Sequence, residues 1–302
     1  MTKVVVDNLS KKIKNFWIDG VNFKVHSGEI FAIVGTEDSG KELLVKTMQR
    51  LGFLTAGKVD VNRKDTGTLV GDQNFYPNQS IWSTVKMMAK LYDKDVTRTQ
   101  MKNTLNLLGL YKKRKAKIKT LSHNRITRLK IACAIIGNPG ILILDRPFMN
   151  LDEYEARIVR VALKTLADKF DTAVILTAPD FCGIEEIFDT VAIIDAGEIV
   201  LVESYNNLAR SVAKFSKTCV TTEAPHLAAT KIKEKFQYVT HIHGTNDVVV
   251  DTHPDNAQAI FEYLKEENIP VDYVTRVNKS IADLFYALKN QRPVATPAEV
   301  PV

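Results

Sequence analysis

Between Gly35 and Glu42 the chain reads GTEDSGKE, directly after the apolar run EIFAIV. A glycine, four residues, then Gly-Lys and a hydroxyl residue is the spacing with which backbone N–H groups cradle phosphates. In that arrangement the lysine reaches the outer phosphates and the hydroxyl meets a metal ion. Gly35, Thr36, Glu37, Asp38, Ser39, Gly40 and Lys41 fill the pattern here, and Glu42 takes the place of the hydroxyl. A carboxylate can ligate a hard cation, but it also sets a negative charge beside an anion. The competing reading is that Gly35 and Gly40 serve only the turn from strand to helix, with Lys41 an exposed residue at the helix start.

The elements around this loop show how it would be positioned. Two β-rich runs, KVVVDNL and VNFKV, precede the buried strand EIFAIV, and a helix runs from about Gly40 to Leu51. From Ile81 to Gly137 the pattern is helical, in the segments IWSTVKMMAKLY, TRTQMKNTLNLLGL and SHNRITRLKIACAII. Alternation then resumes with strand ILILD, helix LDEYEARIVRVALKTLADKF, strand AVILT, helix FCGIEEIF, and strands TVAIID and IVLV. Strands and helices alternating in this way predict a largely parallel sheet covered on both faces, with a helical insertion at about 74–137. Beyond residue 212 the order becomes β-α-β-β-α-β plus a helix, SIADLFYALKN, which predicts a small split-βαβ domain over 213–290. The tail at 291–302, rich in proline and small residues, is expected to be disordered.

Composition bounds the rest. The 302 residues are 45% hydrophobic and 25% charged, which suits a large domain with a smaller one beside it. The net charge of +6 is concentrated in YKKRKAKIK, from Tyr111 to Lys119. Such a run is ordinarily a solvated face, with contact to nucleic acid or lipid the lesser reading, and nucleic acid is not among the expected partners. No apolar segment approaches the roughly 20 residues that span a bilayer, and MTKVVVDNLS lacks a signal-peptide core, so a cytoplasmic protein is expected. Cys133, Cys182 and Cys219 have no paired spacing and read as small core residues. His241 and His243 share one face of a strand, where ordinary strand residues are the stronger reading than metal ligands.

Over about residues 1–212 the chain resembles the ATP-binding subunits of ABC transporters, with five segments in the family's order. The loop Gly35–Glu42 matches its Walker A motif, and VGDQNFYPNQSIWSTV is similar to its Q-loop, with Gln73 as the glutamine. TLSHNRITRLKIACAIIGNP resembles the signature segment, ILILDRPFMNLD the strand with catalytic glutamate and D-loop, and ILTAPD the strand before the switch histidine. The C-terminal helix is similar to that of the drug- and bacteriocin-export branch. The resemblance implies an α/β, P-loop NTPase fold of ABC ATPase type followed by the small C-terminal α+β domain.

It also implies ATP with Mg²⁺ as the ligand, held by the loop residues, Gln73 and Asp145, with Glu42, Gln73 and Asp145 as the metal candidates. Several parts depart from the family pattern. Arg146 stands at the catalytic-base position, and a guanidinium that is always protonated cannot accept a proton. Pro179 stands near the position of the family's switch histidine, and no histidine lies close to it in the sequence. In the signature, Ser122 is kept while His123 and Asn124 replace the two glycines that would admit a γ-phosphate from an opposite subunit. The expectation is a weakly or non-hydrolysing subunit that is peripheral on the cytoplasmic membrane face. Its expected partners are a polytopic membrane subunit and a second ATP-binding subunit, for which it serves as scaffold or regulator. An active ATPase exporting a peptide or drug, and a soluble regulator derived from a cassette, are the alternatives. Two further expectations concern contacts: a Glu42–Arg146 salt bridge, and packing roles for Phe16 and Trp17 near Ile13.

Overall fold

The computed structural model describes residues 1–13, 16–49, 54–69, 74–91, 95–214, 217–238, 240–252, 256–277 and 281. The chain divides into two compact units, Met1–Tyr205 and Asn206–Val302. Gln73, the closing segment SIADLFYALKN except Ile281, and the tail lie outside the described residues.

In the first unit β1 (Thr2–Ile13) and β2 (Phe16–His26) pair antiparallel, and β3 (Ile30–Val34) leads through the glycine loop into α1 (Lys41–Met48). Then come β4 (Ala56–Val61), β5 (Thr66–Leu69), α2 (Ile81–Leu91), α3 (Arg98–Leu107), α4 (His123–Ile135) and β6 (Ile141–Leu144). The unit continues with α5 (Glu153–Phe170), β7 (Ala173–Ala178), β8 (Thr190–Asp195) and β9 (Glu198–Ser204), and α6 (Tyr205–Lys214) starts at the division. The central sheet has the order β5-β6-β7-β3-β8-β9, parallel except for the β8–β9 pair. Every residue of β3, β6 and β7 is buried, the behaviour of strands covered on both faces. A second sheet, β2-β1-β4, is antiparallel. Val4, Val6, Leu9 and Ile18 from it share one core with Phe31 and Ile33 of β3 and Leu44, Val45 and Met48 of α1. The helix after the loop is therefore anchored by its apolar face, which fixes where its first turn points.

Two expectations need correction. FCGIEEIF forms turns rather than a helix, because Gly183 takes φ +77°, which a helix cannot contain. Cys182 within it is exposed, whereas Cys133 and Cys219 are buried, so only two of the three thiols are core residues. Burial pushes the Cys133 thiol far up, away from thiolate chemistry.

In the second unit β10 (Lys217–Thr221), α7 (Pro225–Phe236), β11 (Thr240–His243), β12 (Asp247–Asp251), α8 (Ala257–Glu266) and β13 (Tyr273–Val277) follow the expected order. The sheet β11-β12-β10-β13 is wholly antiparallel. Val220, Val248 and Val250 pack under Ile232 of α7 and Ile260 and Leu264 of α8. His241 is exposed, and among the described residues no group of three His, Cys, Asp or Glu is placed to hold a metal ion. No described helix is long and apolar enough to cross a membrane.

Candidate functional site

The carboxyl ends of β3, β6 and β7 lie side by side in the central sheet, which is where open α/β sheets place ligands. After β3 the chain must turn within six residues into α1. A Cβ on Gly35 would come 2.3 Å from the Ile194 carbonyl oxygen, and Gly40 stands at φ +100° against Ile18 and Phe16. Packing alone thus explains both glycines. Asp38 also holds a left-handed conformation, φ +64°, which aspartate tolerates better than most residues. The glycine spacing by itself therefore carries little weight for a ligand, and Lys41 must decide.

Lys41 is only 7% exposed, which overturns the reading of it as an exposed helix-start residue. Its Nζ donates to the carbonyls of Gly35 and Thr36, the latter at 2.5 Å, and to Ser39 Oγ at 3.2 Å. Three acceptors match the three protons of an ammonium group. Burial lowers the Lys41 pKa, and the positive charge of Arg146 lowers it further, against the pull of Asp145, Glu37 and Asp38. Two cations thus share the head of the loop, at the N-terminus of α1, where the helix dipole also favours an anion.

At the end of β6, the Asp145 amide donates to the Leu69 carbonyl at 2.7 Å. Its Oδ1 accepts a 2.5 Å hydrogen bond from Thr177 Oγ1, and the Arg146 amide donates to that same hydroxyl oxygen at 2.9 Å. Thr177 is wholly buried. Its hydroxyl fixes both the acid and the backbone of the following arginine, which sits at φ +46°. Sequence reading missed Thr177; the signal available was a lone hydroxyl residue inside the apolar run AVILTA.

One cleft of about 940 Å³ brings together Glu37, Asp38, Gly40, Lys41, Glu42, Asp145, Arg146 and Pro179. Gly35, Thr36 and Ser39 take part through their contacts with Lys41. Ile13 and Phe16 form part of an apolar side, and Cys182 borders it. Phe16 also packs against the core, as expected, but Trp17 is 51% exposed and has no comparable packing role. The signature residues are not among the residues lining this cleft. Ser122 and His123 are exposed at the start of α4, and Asn124 Nδ2 donates to Asp152 Oδ2 at 3.2 Å.

Glu42 does not bridge to Arg146. Its carboxylate pairs with Lys46 at 2.5 Å, because residues four apart on a helix are neighbours, while Arg146 acts on it only as a weaker, more distant charge. The hydrogen bond from Lys46 holds the Glu42 carboxyl below its ordinary pKa. Its stabilising contribution is therefore present above the unfolded-state pKa and is lost as pH falls through the lowered one. Both side chains are about half exposed, at 50% and 44%, so the pair is worth about 0–1 kcal/mol. Urea unfolding of Glu42→Thr is expected to show a loss within that range. A double-mutant cycle of Glu42 with Arg146 should be additive within about 0.5 kcal/mol.

The loop, the α1 N-terminus and the buried ammonium fit the phosphates of a nucleotide. Of the metal candidates, the Glu42 carboxylate pairs with the half-exposed Lys46, Asp145 Oδ1 is oriented by Thr177, and Gln73 lies outside the described residues.

Comparison with known proteins agrees with this geometry. Residues 18–149 match the ABC transporter family. YhcH of Bacillus subtilis, an uncharacterized ABC transporter ATP-binding protein, is 26% identical, spanning 96% of this chain and 97% of its own length. The bacitracin transport ATP-binding protein BcrA of Enterococcus faecalis is 25% identical over 93% of each chain. A solved ATP-binding subunit of an ABC transporter shares the fold, with a TM-score of 0.62 at 18% identity over 70% of this chain and 93% of its own. Over nearly its whole length the chain is thus similar in sequence to ATP-binding proteins of ABC transporters, and in fold to a solved subunit of that kind.

Proposed function

We propose that this chain is a weakly or non-hydrolysing subunit. It docks on a polytopic membrane partner at the cytoplasmic face, beside a second ATP-binding subunit, and acts there as scaffold or regulator. The observation that carries this reading is Arg146, which follows Asp145 and borders the cleft with Lys41. A guanidinium is protonated at any working pH, so it can bind an anion but cannot take a proton from water. Lys41 and the loop amides would hold the phosphates of ATP, and Arg146 would add a second positive charge near them. Pro179, also on the cleft, has no group to donate or accept a proton. Binding without turnover is the outcome these residues support.

A second reading, an active ATPase that drives export of a peptide or drug, is favoured by one observation: Lys41 and Asp145 still border one cleft. The relative named for bacitracin transport supports a cargo of that class under this reading. Docking is common to both. Affinity purification of the tagged chain from detergent-solubilised membranes is expected to recover a polytopic membrane protein in stoichiometric amount. Recovery of the chain free, or only with soluble proteins, would contradict the docking.

A further inference from the structure

Residues 74–121, which hold α2 and α3, contain 11 of the 41 Lys and Arg residues and only two of the 35 Asp and Glu residues. The lobe is net +9 and the rest of the chain net −3, so the entire positive excess of the protein lies here. Lys112, Lys113, Lys115, Lys117 and Lys119 are all exposed, as are Lys86, Lys90 and Lys102. No described lysine of the lobe is in a salt bridge. A face that was simply solvated would be expected to carry interspersed carboxylates.

The lysine-bearing segment is held in place by its backbone. The Ile81 and Trp82 amides donate to the carbonyls of Ala116 and Arg114, at 3.2 and 2.9 Å. The Ile118 and Lys119 amides donate to Gln79 and Pro77 at 2.9 and 3.0 Å. Leu110 and Ile118 are buried on either side. The chain is thus pinned along the start of α2 while its lysines point outward.

The two described arginines are engaged differently. Arg114 lies 4.4 Å from the Tyr111 ring centroid and donates to the Tyr111 carbonyl, and Arg98 lies 5.8 Å from the Trp82 ring. Lys102 Nζ also lies 5.6 Å from the Tyr111 ring; the cations with no such ring contact are the remaining described lysines, which are point charges without the planar fork that reads a base or grips one phosphate. Tyr76 and Leu91, 65% and 70% exposed, add apolar tips to the same lobe. Dense lysine with scattered aromatic and aliphatic side chains suits a diffuse anionic surface bearing an apolar layer beneath it.

We infer that this basic lobe is a binding surface for anionic lipid headgroups, supplementing whatever protein contact holds the subunit at a membrane. Each lysine at such a surface contributes about a fivefold gain in partition, and the attraction is screened by salt. The inference concerns the chain by itself and stands whether or not ATP is hydrolysed.

The test is flotation of the full-length protein with phosphatidylcholine vesicles, with and without about 30% phosphatidylglycerol, at about 50 and 300 mM salt. Binding is expected only to the anionic vesicles and should fall at least about tenfold at the higher salt. Replacing Lys112, Lys113, Lys115 and Lys117 together with glutamine should lower partition more than about a hundredfold. Glutamine at Lys12, Lys24, Lys58 and Lys64, an equal charge change outside the lobe, should lower it no more than about threefold. Circular dichroism melting confirms that both variants fold. Equal losses in the two variants, or binding that ignores headgroup charge, would overturn the inference. So would tighter binding to a single-stranded RNA than to the anionic vesicles.

Discussion

Replacing Arg128 with alanine is expected to destabilise the first unit by about 3–5 kcal/mol, measured by urea unfolding. Arg128 is 4% exposed on α4. Its Nε lies 2.6 Å from Glu155 Oε2 on α5, and its guanidinium donates to the Leu108 carbonyl, just past the end of α3, at 2.8 Å. The side chain of Glu155 is only 15% exposed, so the variant leaves a largely buried carboxylate without its cation and a carbonyl without its donor. The double variant Arg128→Met/Glu155→Leu removes both charges and should recover most of the loss, because the penalty comes from the unpaired partner. A single-variant loss below about 1 kcal/mol would show that water reaches the pair.

Gly67→Ala is expected to cost about 3 kcal/mol, at the upper end for overpacking. A Cβ there would lie 1.9 Å from the Ala134 carbonyl oxygen and within 3.0 Å of Pro139. The nearest clash is with backbone, so no side chain can rotate away and α4 must separate from β5. Gly244, at φ +67° with nothing within 4 Å of its added Cβ, is the control. Alanine there should cost only the backbone strain of about 1 kcal/mol. Similar losses at the two positions would mean that α4 and β5 are less closely packed than described. Both predictions concern what holds α4, the helix that follows Ser122 and begins with His123 and Asn124.

How legible this was in the sequence varies with the physics involved. The runs EIFAIV, ILILD and AVILT announced buried parallel strands because both of their faces need apolar residues, and β3, β6 and β7 are buried throughout. The strands β4 and β5 have no counterpart in the sequence reading. Thr66–Leu69 is short and half polar, and its extended form comes from parallel pairing with β6. The apolar spacing of FCGIEEIF suggested a helix, but a single left-handed Gly183 outweighs it.

At the site, Lys41 was legible as a residue type, but its burial was not. An ammonium can be buried only where acceptors surround it, and the loop's own carbonyls supply them only once folded. The partner of Glu42 was misjudged because a resemblance placed it opposite Arg146, whereas the nearer rule of helix spacing gives Lys46. Asp145, Arg146 and Pro179, over 100 residues from Gly35 and Gly40, do meet Gly40 and Lys41 at one cleft.

With Arg146 after Asp145, the chain is expected to lack a working base for ATP hydrolysis. The decisive measurement is steady-state ATP hydrolysis by the stringently purified protein alongside Arg146→Ala and Lys41→Ala. All three are expected to be indistinguishable and close to the uncatalysed background. Turnover of about 1 s⁻¹ in the unaltered protein, abolished by Lys41→Ala, would contradict this.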